Sequence, residues 1–262
     1  MIPAAALLAL AACVVDGAGP AGALPPIAPN RPTFSDGTSL VPAGRVQVET
    51  GVSYARREGQ GVDAERGNGP ELVVRYAASP RLELRATWGG QVWSDAGGGG
   101  SDDGGSDAGL AVLVPLADQV GWQPALTLEA ATTLGVGSAA FSSGHADPTW
   151  KLLWSYGAGE LPQWLGVGGN LVASYPTENG DRFTQTAASL YATFSPIGTD
   201  TSLFAEWYVV SRPANSVASS QAVDFGVVQR LSGTVAVDAR AGFGLDDRAD
   251  DFVAGIGISL LF

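Results

Sequence analysis

The most constraining feature of this sequence is a two-residue alternation of apolar and polar side chains that recurs in twelve segments. In RLELRATW, residues 81–88, the leucines, the alanine and the tryptophan share one face, and the charged side chains and the threonine share the other. Successive side chains of a β-strand point to opposite faces, so this period predicts strands. The segments begin near Arg45, Glu71, Arg81, Ala108, Gln123, Pro148, Gln163, Phe183, Thr201, Ser220, Thr234 and Phe252.

The connections between these segments alternate in length. Residues 56–69 and 94–107 read as long polar loops, whereas residues 195–200 read as a compact turn. Short turns at one end and long loops at the other are typical of outer-membrane barrels. We therefore predict an all-β fold, a transmembrane up-and-down antiparallel β-barrel of about 12 strands, with both termini in the periplasm.

The last strand supports a closed barrel. Residues 252–262, FVAGIGISLLF, alternate strictly and end on Phe262 without a polar tail. A free apolar edge at a terminus invites aggregation, whereas a strand that closes a barrel has no free edge. Tryptophan and tyrosine lie mostly near segment ends, as in the aromatic belts at a membrane interface. The alternative is that these rings form the core of a soluble barrel.

The chain before the alternating region divides into two parts. Residues 1–23 read as a secretory signal with cleavage after Ala23, although no lysine or arginine precedes the apolar core. An alternative is a lipoprotein box at residues 10–13 that leaves Cys13, the only cysteine, as an acylated N-terminus. Residues 24–44 are rich in proline and glycine and form either a periplasmic lead or a plug, in which Arg31 and Asp36 pair with charges inside the barrel. Residues 45–262 form the barrel.

Composition and motifs argue against several kinds of chemistry. The net charge of −12 argues against a nucleic-acid partner, because binding to phosphates needs a basic face. The only histidine, His145, lies beside a glycine in a predicted loop and is poorly placed to act as a catalytic base. We therefore predict no enzyme activity. The residues offer no cluster for a transition metal, so we also predict no metal and no cofactor. The acidic stretches at residues 101–107 and 246–251 are solvated loops or, alternatively, oxygen ligands for Ca²⁺ or Mg²⁺ that also bridge to lipopolysaccharide.

The polar face of the strands carries charges of both signs. In a membrane span, such residues are tolerated where they face water or one another. Their role is either structural, as ion pairs that fill a narrow interior, or functional, as a lining that selects a permeating solute. The candidate lumen residues are Arg45, Glu49, Glu71, Arg75, Arg81, Glu83, Arg85, Glu129, Lys151, Glu206, Asp224, Arg230, Asp238 and Arg240.

Residues 31–54, RPTFSDGTSLVPAGRVQVETGVSY, resemble the opening of a family of bacterial outer-membrane proteins described as Putative MetA-pathway of phenol degradation. The matching elements are Arg31-Pro32, Phe34, Asp36-Gly37, residues 41–44 (VPAG) and residues 47–49 (QVE). The resemblance implies an outer-membrane barrel that takes up small, often aromatic or hydrophobic compounds. Phe262 likewise resembles the signal that the barrel assembly machinery reads in its substrates.

The sequence thus predicts an outer-membrane barrel for passive transport of a small solute. Its expected partners are outer-membrane lipids, lipopolysaccharide, the assembly machinery and an unidentified solute. An alternative is a non-conducting barrel that acts structurally or binds surfaces through its acidic loops. A lipid-modifying enzyme, the third alternative, is disfavoured by the position of His145.

Overall fold

The computed structural model describes residues 25–59, 62–97, 100–157 and 159–262, so the predicted signal sequence and Cys13 lie outside the described residues. The described chain contains no helix that is long and apolar enough to cross a membrane. The strands are β1 (Val46–Gly59), β2 (Val62–Ser79), β3 (Leu82–Trp88), β4 (Gln91–Asp95), β5 (Ser101–Gly105), β6 (Ala108–Ala117), β7 (Ala125–Leu134), β8 (Pro148–Tyr156), β9 (Leu165–Ser174), β10 (Thr177–Glu178), β11 (Asp181–Arg182), β12 (Gln185–Phe194), β13 (Thr201–Val210), β14 (Ser220–Arg230), β15 (Val235–Gly244) and β16 (Phe252–Leu261).

Within the described residues, twelve strands form a closed antiparallel barrel, as predicted. They are β1, β2, β3, β6, β7, β8, β9, β12, β13, β14, β15 and β16, each paired with its neighbours in this order. Strand β1 closes the barrel by pairing with both β2 and β16, and Val46 and Phe262 exchange backbone hydrogen bonds of 3.3 and 2.8 Å. We call the end of the barrel at this pair the terminal end and the opposite end the distal end.

The two faces of the wall differ in chemistry, because the pleat sends alternate side chains inward and outward. Large apolar side chains are exposed on the outer face, among them Leu110, Leu190, Phe225 and Ile256. Charged side chains are buried on the inner face, and Glu49 and Glu83 have no exposed surface. An apolar exterior around a polar interior is the arrangement of a transmembrane barrel and the reverse of a soluble one.

The predicted strand starts agree with the observed ones to within two residues except at Glu71, because β2 begins earlier, at Val62. The prediction of long loops at residues 56–69 and 94–107 was wrong. Residues 56–59 and 62–69 instead extend β1 and β2, and residues 94–95 and 101–105 belong to the β4–β5 hairpin, which pairs with β2 from Gly69↔Gln91 to Glu65↔Asp95. Most side chains of these residues, which we call the distal extension, are polar or glycine, so its strands show no apolar alternation.

Residues 25–44, which we call the N-terminal segment, lie inside the barrel. The segment enters at the terminal end, where the N–H of Ile27 donates to the carbonyl of Gly233 at 2.9 Å. It returns to the same end at Gly44, whose N–H donates to the carbonyl of Ala77 at 2.7 Å. Its apolar side chains pack on small apolar patches of the inner wall. Ile27 and Val41 join Ala77, Ala236, Val228 and Leu261, and Leu40 packs with Ala111, Leu113, Ala131 and Leu153.

Candidate permeation pathway

Arg75 on β2 is the centre of the buried charges on one side of the lumen. Its guanidinium donates to Glu83 at 2.8 and 3.2 Å and to Glu49 at 3.1 Å. The same group donates to the backbone carbonyl of Ser39 in the N-terminal segment at 3.0 Å. Glu83 in turn accepts the N–H of Val41 at 2.7 Å. These wall charges therefore bind the backbone of the segment as well as each other.

Asp36 of the segment reaches a second group of wall charges. Its carboxylate accepts a hydrogen bond from Arg85 at 2.8 Å and one from Lys151 at 2.6 Å. Glu129 on β7 pairs with the same two cations, at 3.1 and 3.0 Å. Opposite charges at these distances attract one another, and more strongly in a buried site than in water. Asp36 is thus the charged anchor between the segment and the β3–β8 side of the wall.

The opposite wall holds the segment through Glu206 on β13. Its carboxylate accepts the N–H groups of Phe34 and Ser35 at 2.7 and 2.8 Å and also accepts the Ser35 hydroxyl. The Phe34 ring stacks on Tyr208, with ring centroids 4.3 Å apart and an angle of 5° between the planes. The segment therefore bridges the lumen from β3 to β13.

Arg31 contacts the wall formed by the strands that close the barrel. It pairs with Glu71 on β2, and its Nε lies 4.0 Å from Asp238 on β15. Its backbone N–H donates to Glu49 at 2.9 Å. Arg31 and Asp36 thus both meet lumen charges, by contacts on separate parts of the wall.

A cavity of about 340 Å³ remains between the N-terminal segment and strands β12 to β14. Its lining is largely apolar, with Ile27 and Pro29 from the segment and Phe204 and Val228 from the wall. Ser195, Ser202 and Arg230 line its terminal end. This space is the candidate pathway for a solute in the described structure.

The other candidate lumen residues lie away from these anchors. Arg240 pairs with Asp224 at 3.2 Å on the wall of β14 and β15. Arg230 pairs with Asp200, at 3.4 Å, where β14 ends. Arg45 and Arg81 directly precede β1 and β3 at the terminal end, and Arg81 is exposed. The candidates therefore separate into a buried group inside the barrel and an arginine group at its terminal mouth.

The distal loops contain the remaining candidate residues. His145 is exposed and its Nδ1 contacts the carbonyl oxygen of Ser143 at 2.7 Å. Burial raises the pKa of neighbouring Asp147, but hydrogen bonds from Thr177 and Ser143 and the charge of Arg182 lower it below its ordinary value. Asp250 pairs with Arg57 and Arg66 on the distal extension, at 3.2 and 3.6 Å. In the part of the chain that the structure describes, no group of three histidine, cysteine or acidic residues could hold a metal ion.

Several polar wall residues near the segment were not among the sequence candidates. The Ser189 hydroxyl lies 2.6 Å from that of Ser35. The amide of Asn170, in the orientation that satisfies both groups, donates to the carbonyl of Asp36 and accepts from its N–H. Gln47 donates to Glu49 at 2.8 Å. All three alternate with outward apolar residues. Their inward position could therefore have been predicted from the sequence, although they carry no charge.

The fold resembles solved outer-membrane barrels. An outer membrane channel from Pseudomonas putida F1 matches with a TM-score of 0.63 at 13% identity, covering 90% of this chain and 100% of that one. The NanC porin matches with a TM-score of 0.52 at 14% identity, covering 82% and 98%, and the KdgM porin with 0.52 at 8%, covering 82% and 99%. No curated protein sequence matches this chain significantly. These structural similarities establish that the chain has the fold of an outer-membrane β-barrel.

Two further observations assign the chain. The closed barrel, its apolar outer face and its likeness to outer-membrane barrels place it in the bacterial outer membrane. The sequence model of one family, described as Putative MetA-pathway of phenol degradation, matches residues 29–262, which include most of the N-terminal segment and the whole barrel. The protein is therefore a member of that family.

Proposed function

We propose that this protein mediates passive passage of a small solute across the outer membrane and that the N-terminal segment is a displaceable plug. The observation that carries the proposal is that the segment meets the wall largely through charged and polar groups. Water can replace such partners when the segment leaves, whereas an apolar wall exposed in the same way would lose its packing. Passage requires that water fill the lumen and that the solute be positioned within it, and it involves no covalent chemistry.

The cavity beside β12 to β14 supports the proposal that the solute is small. Its volume of about 340 Å³ is near the lower end of small-molecule sites. The apolar lining matches a solute with an apolar body, in line with the aromatic or hydrophobic compounds that the family resemblance implies. The lumen charges then act on the polar groups of the solute and on water.

The proposal also fixes an orientation. Both termini face the periplasm, so the segment enters the barrel from that side, and the distal extension faces lipopolysaccharide. Phe262 serves as the signal for the barrel assembly machinery. Residues 1–23 are removed during export, with residues 24–44 left as the plug. These assignments keep the shorter turns on the periplasmic side, as in other bacterial barrels.

A non-conducting barrel is the second candidate function, and one observation favours it. Glu83 and Glu206 on the wall accept backbone N–H groups of the segment, and Asp36 of the segment accepts a hydrogen bond from Lys151 on the wall. The segment thus has well-defined polar partners on two sides of the lumen. A protein whose segment never leaves would be structural or would act through its distal extension. Conductance with the segment free and with it fixed distinguishes the two functions.

A disulfide between the segment and the wall tests the proposal. The hydroxyl oxygens of Thr38 and Ser155 lie 2.6 Å apart, so cysteines there can approach the geometry of a disulfide. In a Cys13→Ser background, we expect Thr38→Cys/Ser155→Cys to conduct in planar bilayers when reduced and to lose conductance when oxidised. Each single cysteine variant is the control and should conduct under both conditions. Equal conductance of the oxidised and reduced double variant would contradict the plug, and no conductance in any form would contradict passage itself.

A further inference from the structure

The inner wall at the closing strands contains a compact niche around the Arg31 side chain. Glu71 and Asp238 supply carboxylates, and the floor consists of Gly51 on β1 and Gly257 on β16. A Cβ at Gly51 would overlap the guanidinium, and one at Gly257 would lie 2.6 Å from its Nε. The two glycines therefore leave the space that a flat cation occupies.

The niche has more acceptor capacity than Arg31 uses. Asp238 has 1% of its side chain exposed, and neither of its oxygens accepts a hydrogen bond from any described residue. The Arg31 Nε likewise has no acceptor among these residues, because its distance of 4.0 Å to Asp238 is too long for a hydrogen bond. The covalent tether of Arg31 thus leaves a buried carboxylate only partly compensated. A free cation in the same space can approach Asp238 more closely.

The shape of the niche selects among cations. A guanidinium or amidinium is planar and carries several N–H donors in one plane, which suits a site with carboxylates at its sides and bare backbone beneath. Within the described chain no third carboxylate stands beside Glu71 and Asp238 in a group that could hold a metal ion. An organic planar cation fits these donors and this space better than a chelated metal does.

We propose that this niche is a binding site for solutes that carry a guanidinium or amidinium group and that Arg31 is an internal competitor for it. A solute of this class that enters the niche displaces Arg31 and weakens the hold on the N-terminal segment. This inference rests on the proposed function for its role in opening, whereas binding to the niche itself does not depend on conduction.

Binding to the refolded barrel tests the niche directly. We expect Arg31→Ala to bind methylguanidinium about tenfold more tightly than the parent protein, as measured by calorimetry in detergent. The variant removes the competing side chain and leaves Glu71 and Asp238 free for charge-assisted hydrogen bonds with the planar cation. Neutral methylurea, which has the same shape without the charge, should not bind. Adding Asp238→Asn to Arg31→Ala should abolish the gain. Adding Asp200→Asn should keep it, because Asp200 is exposed and pairs with Arg230 at the terminal mouth.

The outcomes separate this inference from the proposed function. Equal affinity of parent and Arg31→Ala for methylguanidinium, or tight binding that survives Asp238→Asn, overturns the niche. If Arg31→Ala does not fold by circular dichroism, Arg31→Lys, which keeps the charge without the planar fork, replaces it and should show a smaller gain of the same sign. Specific binding without any conductance would retain the niche and reject the channel.

Discussion

Replacing Asp36 by asparagine removes one charge from the N-terminal segment at nearly constant volume. In the parent protein the Asp36 carboxylate bridges Arg85 and Lys151, at 2.8 and 2.6 Å, and also accepts the Asn30 amide at 2.7 Å. The variant leaves both cations with Glu129 as their nearest shared acid. The two contacts with wall cations exist only in the docked state of the segment, whereas the Asn30 contact lies within the segment itself.

The size of the effect follows from the burial of the three groups. Removing one partner of a fully buried ion pair costs roughly 3–5 kcal/mol. Here the Lys151 side chain is 25% exposed and both cations keep an acidic partner, so we expect about 2 kcal/mol. Each 1.4 kcal/mol is a factor of ten, so the ratio of undocked to docked segment should rise by about 30-fold.

Single-channel recording in planar bilayers measures this ratio as the odds of the open state. Asp36→Asn should raise those odds by about 30-fold, with only a weak dependence on salt, because buried pairs are screened much less than exposed ones. Asp247→Asn is the matched control, because Asp247 is an exposed acid of the β15–β16 connection. Open-state odds for Asp36→Asn within about threefold of the control would refute the reasoning that charge pairing holds the segment.

Three further variants test other parts of the structure. Ile256 is exposed in the middle of β16, so Ile256→Arg should make the free energy of folding into lipid vesicles less favourable by about 2–4 kcal/mol. Leu231→Arg, in an exposed turn, should fold normally, and equal folding yields for the two variants would contradict the outward face. Phe34→Ala removes the aromatic stack and should raise the open-state odds by about threefold to tenfold in the same recordings, and unchanged odds would argue against it. Gly257→Ala places a Cβ against the guanidinium and should also favour the open state, whereas Gly255→Ala, with contacts no closer than 3.2 Å, should change it little; equal effects would mean that the space under Arg31 is unimportant.

The alternation of apolar and polar residues predicted most of the fold. Residues such as Leu84 and Ile256 had to share a face with their neighbours two residues away, and that face had to meet lipid or a core. The regular spacing of such segments indicated strand number, and the buried acids Glu49 and Glu83 followed as inward residues by the same period. The distal extension was not predicted, because most of its residues are polar or glycine and show no apolar alternation. Its pairing depends on backbone hydrogen bonds between β2, β4 and β5 that leave little trace in residue type.

The sequence by itself determined the barrel, its inside and outside, and the kinds of charge inside it, because these depend on a period that repeats along each strand. Only the tertiary structure decided which charges meet. Asp36 lies 49 residues from Arg85 and 115 from Lys151 in sequence, and Phe34 and Glu206 are 172 apart. Such contacts depend on barrel closure and on the path of a proline-rich segment without any period, so local pattern could not reveal them. The same holds for Gly51 and Gly257, whose importance comes from the Arg31 side chain that lies above them.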